Sequence, residues 1–163
     1  MSRLRLILLG VGVLLIAALT WHLQPERRLV RSWHKLIDVV EARHARALGA
    51  LLADDYRDRW GYTKPTLVAD ARLAFHHFDS LEIEVDQQQF ALEGDRATIT
   101  AILRVEVRGT QRAAQARVAT NALFSPFTFE WRRSDAFPWG WQLVRFDQAE
   151  LDLDRFRRMS GGY

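Results

Sequence analysis

The chain has 163 residues, 48% of them hydrophobic and 26% charged, which is the composition of a globular protein and not of a disordered one. Its formal net charge is +3, and its arginines are scattered among acids, so the one-sided basic patch of a nucleic-acid binder is missing and no nucleic-acid partner is expected. It has no cysteine, which excludes disulfides, thiolate metal sites and a cysteine nucleophile.

Leu6 to Leu19 is an unbroken apolar run introduced by Arg3 and Arg5. Counted from Leu4 to Leu23 it supplies the roughly 20 residues that a helix needs to span a bilayer core. Trp21 and His22 fall at its far end, where an amphipathic ring suits the headgroup layer. Ala18-Leu19-Thr20 is a poor cleavage site, so residues 1–25 are expected to stay as a transmembrane signal anchor, with residues 4–23 in lipid; a cleaved secretory signal is the alternative. The expected location is a single-pass cell-membrane protein with its domain on the periplasmic or extracellular side. One cue opposes that orientation: Arg27, Arg28, Arg31 and Lys35 follow the segment and outnumber Arg3 and Arg5.

Glu26 to Leu52 reads as one long helix, because Leu29, Trp33, Leu36, Ile37, Val40, Ala47, Leu48 and Leu51 recur at steps of three and four. Arg27, Arg31 and Lys35 form its outer stripe, a solvated face or a contact for anionic lipid headgroups. A polar connection, 54–64, leads to a second helix opened by Pro65, whose stripe is Leu67, Ala71, Ala74, Phe75 and Phe78. From Asp79 the period becomes two. Leu81, Ile83 and Val85 alternate with acids, and the apolar parity shifts by Phe90 and Leu92, which predicts a bulge at Gln87 to Gln89. Glu93-Gly94-Asp95 is a turn into a long strand through Ala97, Ile99, Ala101, Leu103, Val105 and Val107. Gly109-Thr110 turns the chain again, a third strand region is expected from Ala114 to Arg132 with a break at Ser125-Pro126, and Asp135 to Pro138 is a turn into a last strand from Trp139 to Phe146. Helices followed by a strand meander indicate an α+β domain with helices covering one face of a curved antiparallel sheet.

Three patterns on this frame go together: Leu51-Leu52-Ala53-Asp54-Asp55-Tyr56 at the helix end, Glu93-Gly94-Asp95-Arg96-Ala97 at the hairpin, and Gly140-Trp141-Gln142-Leu143-Val144 at the last strand. In that order they resemble the nuclear transport factor 2-like superfamily, which includes polyketide-cyclase-like and ketosteroid-isomerase-like proteins. The resemblance covers residues 26–157 and leaves 158–163 as a tail. It implies a cone-shaped domain with a pocket between helices and sheet, and a possible homodimer through the outer sheet face. In the isomerase branch a general-base carboxylate follows the Asp-Asp pair by about six residues, where this chain has Trp60, with Asp58 two residues earlier; the tyrosine of the first helix is replaced at about Leu36. Both departures count against isomerase chemistry.

Fold alone does not give function; the ionisable residues carry what chemistry there is. Asp54 and Asp55 could share a proton as an acid–base pair or fix the turn into Tyr56. His76 and His77 diverge by about 100° on a helix and cannot clamp one metal, although either one facing a pocket would be a general base. Asp147 beside Arg145 is an acid at a sheet end or a surface ion pair. Tyr56, Trp60, Phe75 and Trp139 are the candidates for lining an apolar ligand site. No zinc-site, phosphate-loop, dinucleotide or serine-hydrolase motif occurs, so neither metal nor cofactor is expected. The reading that follows is a membrane-anchored, non-catalytic domain that binds a protein partner or a small apolar ligand. The alternatives are a pocket isomerase, cyclase or dehydratase, and a scaffold subunit of an envelope assembly.

Overall fold

A computed structural model describes residues 25–135 and 140–151. The expected anchor, Trp139, most of the Asp135–Pro138 turn and the tail lie outside the described residues. Among the described residues no helix is long and apolar enough to cross a membrane.

Helix α1 (Pro25–Glu41) has proline in its first turn and buries Leu29, Trp33, Leu36 and Val39 along one stripe. The single helix expected over 26–52 is in fact two. The chain breaks at Ala42–His44, where Arg43 takes a left-handed φ of 58°, and α2 (Ala45–Leu51) follows. No glycine or proline announces this break. The Arg43 guanidinium holds the corner by donating to the carbonyls of Phe78 (2.7 Å) and Asp79.

Beyond α2, Leu52 and Ala53 are buried and run beside the last strand. Leu52 bridges Leu143 in parallel, the Ala53 N–H donates to the Leu143 carbonyl at 2.9 Å, and the Arg57 N–H donates to the Val144 carbonyl at 3.2 Å. This segment covers one exposed edge of the sheet, which would otherwise invite pairing. Helix α3 (Lys64–Phe75) starts at Thr63, whose N–H donates to Thr66 Oγ1 at 2.8 Å. Its expected buried stripe is only partly so. Leu67, Ala71 and Phe75 are half-buried, Ala74 is exposed, and Phe78 belongs to the next strand.

Strands β1 (Phe78–Glu93), β2 (Arg96–Gly109), β3 (Phe127–Arg133) and β4 (Trp141–Gln148) form one antiparallel sheet in the order β1-β2-β3-β4. The β1–β2 register slips between Asp86 and Gln89, with Gln87 at φ 50°, so the bulge is where the change of parity puts it. The strand expected from Ala114 is corrected: α4 (Gln111–Asn121) is a helix, and β3 begins only at Phe127. Alanine-rich Gln111–Asn121 has strong helix formers and few β-branched residues, and a threonine, Thr110, precedes it. β2 extends past the end of β3, and α4 lies along that free stretch. Asn121 mimics the missing strand there, its Oδ1 accepting from the Val105 N–H (2.8 Å) and its Nδ2 donating to the Val105 carbonyl (2.9 Å).

The core lies between α1, α2 and one sheet face. Trp33, Trp131, Trp141, Tyr56 and Ile99 are each at most 1% exposed. Trp33 meets Phe129 edge-on at 4.8 Å between centroids, and Phe146 stacks on Phe127 at 5.8 Å. The opposite sheet face is polar, with ion pairs Arg104–Asp86 and Arg145–Glu130.

Candidate functional site

Asp54 and Asp55 do not act together. The first is paired with Lys64 at 2.8 Å, and the same ammonium donates to the Leu52 carbonyl. The second is held in a two-point grip by Arg132, at 2.7 and 2.9 Å. That guanidinium keeps the Asp55 carboxyl below its ordinary range, and Asp55 in turn raises Arg132. Each acid is thus tied to a cation, and together they fix the helix-to-loop turn.

Directly after them lies an arrangement that the order of residues did not single out. Tyr56 and Asp58 are both buried, and the tyrosine hydroxyl donates to Asp58 Oδ2 at 3.2 Å. Asp58 Oδ1 accepts from the N–H groups of Trp60 (3.0 Å) and Tyr62 (2.9 Å). Gly61, at φ 83°, closes this turn. The signal was present, since an aspartate three residues before a glycine is a turn former that bonds its own backbone. Burial, and then the Asp58 charge and hydrogen bond, push the Tyr56 phenol far above its ordinary value. All acceptor positions of Asp58 that the turn needs are filled, so the pair organises the loop.

The remaining candidates are dispersed. Asp147 pairs with Arg59 at 3.1 Å and Arg145 at 3.8 Å. Trp60 lies against Phe146 and donates from Nε1 to the Leu151 carbonyl at 3.1 Å. His77 touches Arg112 at 3.4 Å, and His76 is exposed. Among the described residues no cluster of three or more histidines and carboxylates could hold a metal.

Two open depressions lie outside the core. The larger, about 900 Å³, lies along β1 and β2, lined by Glu41, Glu82, Glu84, Arg104 and Glu106 together with Ile83, Ile102, Leu123 and Phe124. The smaller, about 750 Å³, lies between α2, α3 and the start of β1. Arg43, His44, Arg46, Arg72 and His76 surround a floor of Ala45, Ala47, Ala50, Phe75 and Phe78. Phe75 and His76 are therefore brought together in one groove, though away from Asp54, Asp55 and Asp147.

No family model matches the chain, and no curated protein matches it. Solved structures do. Bd1075 of Bdellovibrio bacteriovorus superposes with a TM-score of 0.60 at 9% identity over 77% of this chain, which spans only 41% of that one. A nuclear transport factor 2-like protein of Cytophaga hutchinsonii gives 0.56 at 13% identity, covering 76% of this chain and 96% of that one. A candidate scytalone dehydratase of Novosphingobium aromaticivorans gives 0.56 at 11%, covering 80% and 91%. Helices on a four-stranded antiparallel sheet, with this likeness to solved structures, give the described residues the nuclear transport factor 2-like fold.

Proposed function

We propose that this chain is a non-catalytic binding domain of nuclear transport factor 2-like fold, tethered to a membrane by residues 4–23. The observation that carries the first part is the packing of the space between helices and sheet. Trp33, Trp131, Trp141 and Tyr56 occupy it, and its ionisable pair, Tyr56 and Asp58, is committed to a turn. An enzyme of this architecture needs room there for a substrate and at least one acid or base with a free face. The tether rests on the apolar run and its arginine start. On this reading the outer surface does the binding, of a protein partner or a small ligand, and Arg27, Arg31 and Lys35 face anionic headgroups beside the tether.

A second reading, a pocket dehydratase or isomerase, is favoured by the resemblance to the candidate scytalone dehydratase. Full-length chain reconstituted in nanodiscs separates the two. Native mass spectrometry is expected to find a non-covalently held molecule that is released unchanged. Release of a dehydrated or isomerised product would refute the binding reading. Extraction of the untrimmed chain from membranes by alkaline carbonate would refute the tether.

A further inference from the structure

We propose that the groove between α2 and α3 binds an anionic amphiphile, with its carboxylate or phosphate head on Arg46 and Arg72 and its apolar body on Ala47, Ala50 and Phe75. This deepens the binding-domain reading by naming a ligand class and a place, and it rests on that reading.

The charge balance of the groove points to an anion. Every charged side chain along it is basic, and no carboxylate lines it. Over the whole chain 20 acids nearly balance 23 lysines and arginines, so a wall of one sign is a local departure. Many arginines elsewhere already have partners: Arg59, Arg104, Arg117, Arg132 and Arg145 form ion pairs with acids. Arg46 and Arg72 are exposed and form no ion pair among the described residues.

The floor points to an apolar body. Alanines on α2 let a ligand approach the helix closely, and the half-buried Phe75 ring provides a face to lie on. A volume of about 750 Å³ is within the usual range for a small-molecule site. A bare inorganic anion would leave that floor wet, and a neutral lipid would leave two guanidiniums unused. An amphiphile with an anionic head satisfies both surfaces.

The test uses the full chain in phosphatidylcholine nanodiscs, with equilibrium dialysis of labelled octanoate and octyl phosphate. Uptake by empty discs is subtracted, and octyl glucoside is the neutral control. Saturable uptake of both anions is expected, at one per chain and tighter than that of the glucoside. Arg46→Glu with Arg72→Glu should weaken it about tenfold or more. Ala50→Trp, which fills the floor without altering charge, should weaken it as well. Arg96→Glu, at the far hairpin, should leave it unchanged. Replacing the discs with phosphatidylglycerol discs tells the source: displacement of octanoate supports a lipid headgroup as the natural ligand, and retention supports a free amphiphile. Saturable binding that survives both groove variants would overturn the site and leave the binding-domain reading intact. Saturable uptake of a labelled polyglutamate peptide without uptake of either octyl anion would assign the groove to an acidic protein and overturn the proposal. Chemical conversion of the bound amphiphile would overturn the binding-domain reading itself.

Discussion

At the scale of single residues, Asp58 carries more of the loop than any other described side chain between α2 and α3. One carboxylate accepts from Tyr56, Trp60 and Tyr62, and it does so while almost wholly buried. Removing it orphans a buried hydroxyl and two N–H groups, which costs more than losing one exposed hydrogen bond. Asp58→Ala should lower stability by about 2–3 kcal/mol in urea unfolding, and Asp58→Asn by less, because an amide oxygen still accepts. A change within experimental error in Asp58→Ala would mean that the turn is held by its backbone alone. Tyr56 gives the same loop a pH limit. Its phenol is raised in the folded chain by burial first and by Asp58 second. The folded state therefore keeps a proton that the unfolded chain releases above about pH 10. Stability from this group is complete below that pH and falls as pH rises further, by about 1.4 kcal/mol per unit. Tyrosine absorbance on alkaline titration should show Tyr56 ionising only as the protein unfolds, and Tyr56→Phe should remove that component of the slope.

At the scale of elements, legibility followed the periodicity. The β1 bulge was readable because Leu81, Ile83 and Val85 hold one parity and Phe90 and Leu92 the other, and only an inserted residue reconciles them. The α1–α2 corner was not readable, since the apolar stripe runs through it from Val40 to Ala47 and the stop is made by Arg43 reaching carbonyls 35 and 36 residues away. The α4 helix is illegible in the hydrophobic pattern because its burial is slight: only Ala113 is buried, and Val118 is exposed, so no stripe marks the period. Propensity was the usable signal there. The groove residues Arg46 and Arg72 were out of reach for a different reason, because 26 residues separate them and only the packing of α2 against α3 makes them neighbours. What α4 contributes is testable through Asn121, the residue that closes the free edge of β2. Asn121→Ala should speed hydrogen exchange of the Val105 amide and cost about 1 kcal/mol, with the β2–β3 amides unaffected. Unchanged exchange at Val105 would mean that the edge is protected by the bulk of α4.

At the scale of the whole molecule, the decisive quantity is how much of the space between helices and sheet is filled. Trp33 comes from α1, Trp131 from β3 and Trp141 from β4, so three separate elements each commit their largest side chain to the same volume. A tryptophan buries on the order of 200 Å², and on the binding-domain reading proposed above these three take the room that a substrate would need. Among the described residues the Trp131 Nε1 is buried with no hydrogen-bond partner, which costs free energy. Trp33 is the member whose removal is most informative, since it lies edge-on to Phe129 and is fully buried on α1. Trp33→Ala should lower stability by about 3–5 kcal/mol through lost burial and the cavity left behind. It should also leave the Gln88 side chain without the indole N–H that donates to it at 3.2 Å. The cavity would be apolar and indole-shaped, so added indole should restore part of the lost thermal stability in the variant and none in the parent chain. Rescue by indole in the variant alone would mean that the Trp33 ring fills the volume between helices and sheet. A Trp33→Ala chain as stable as its parent would mean that the interior has slack, and would return the pocket enzyme to first place.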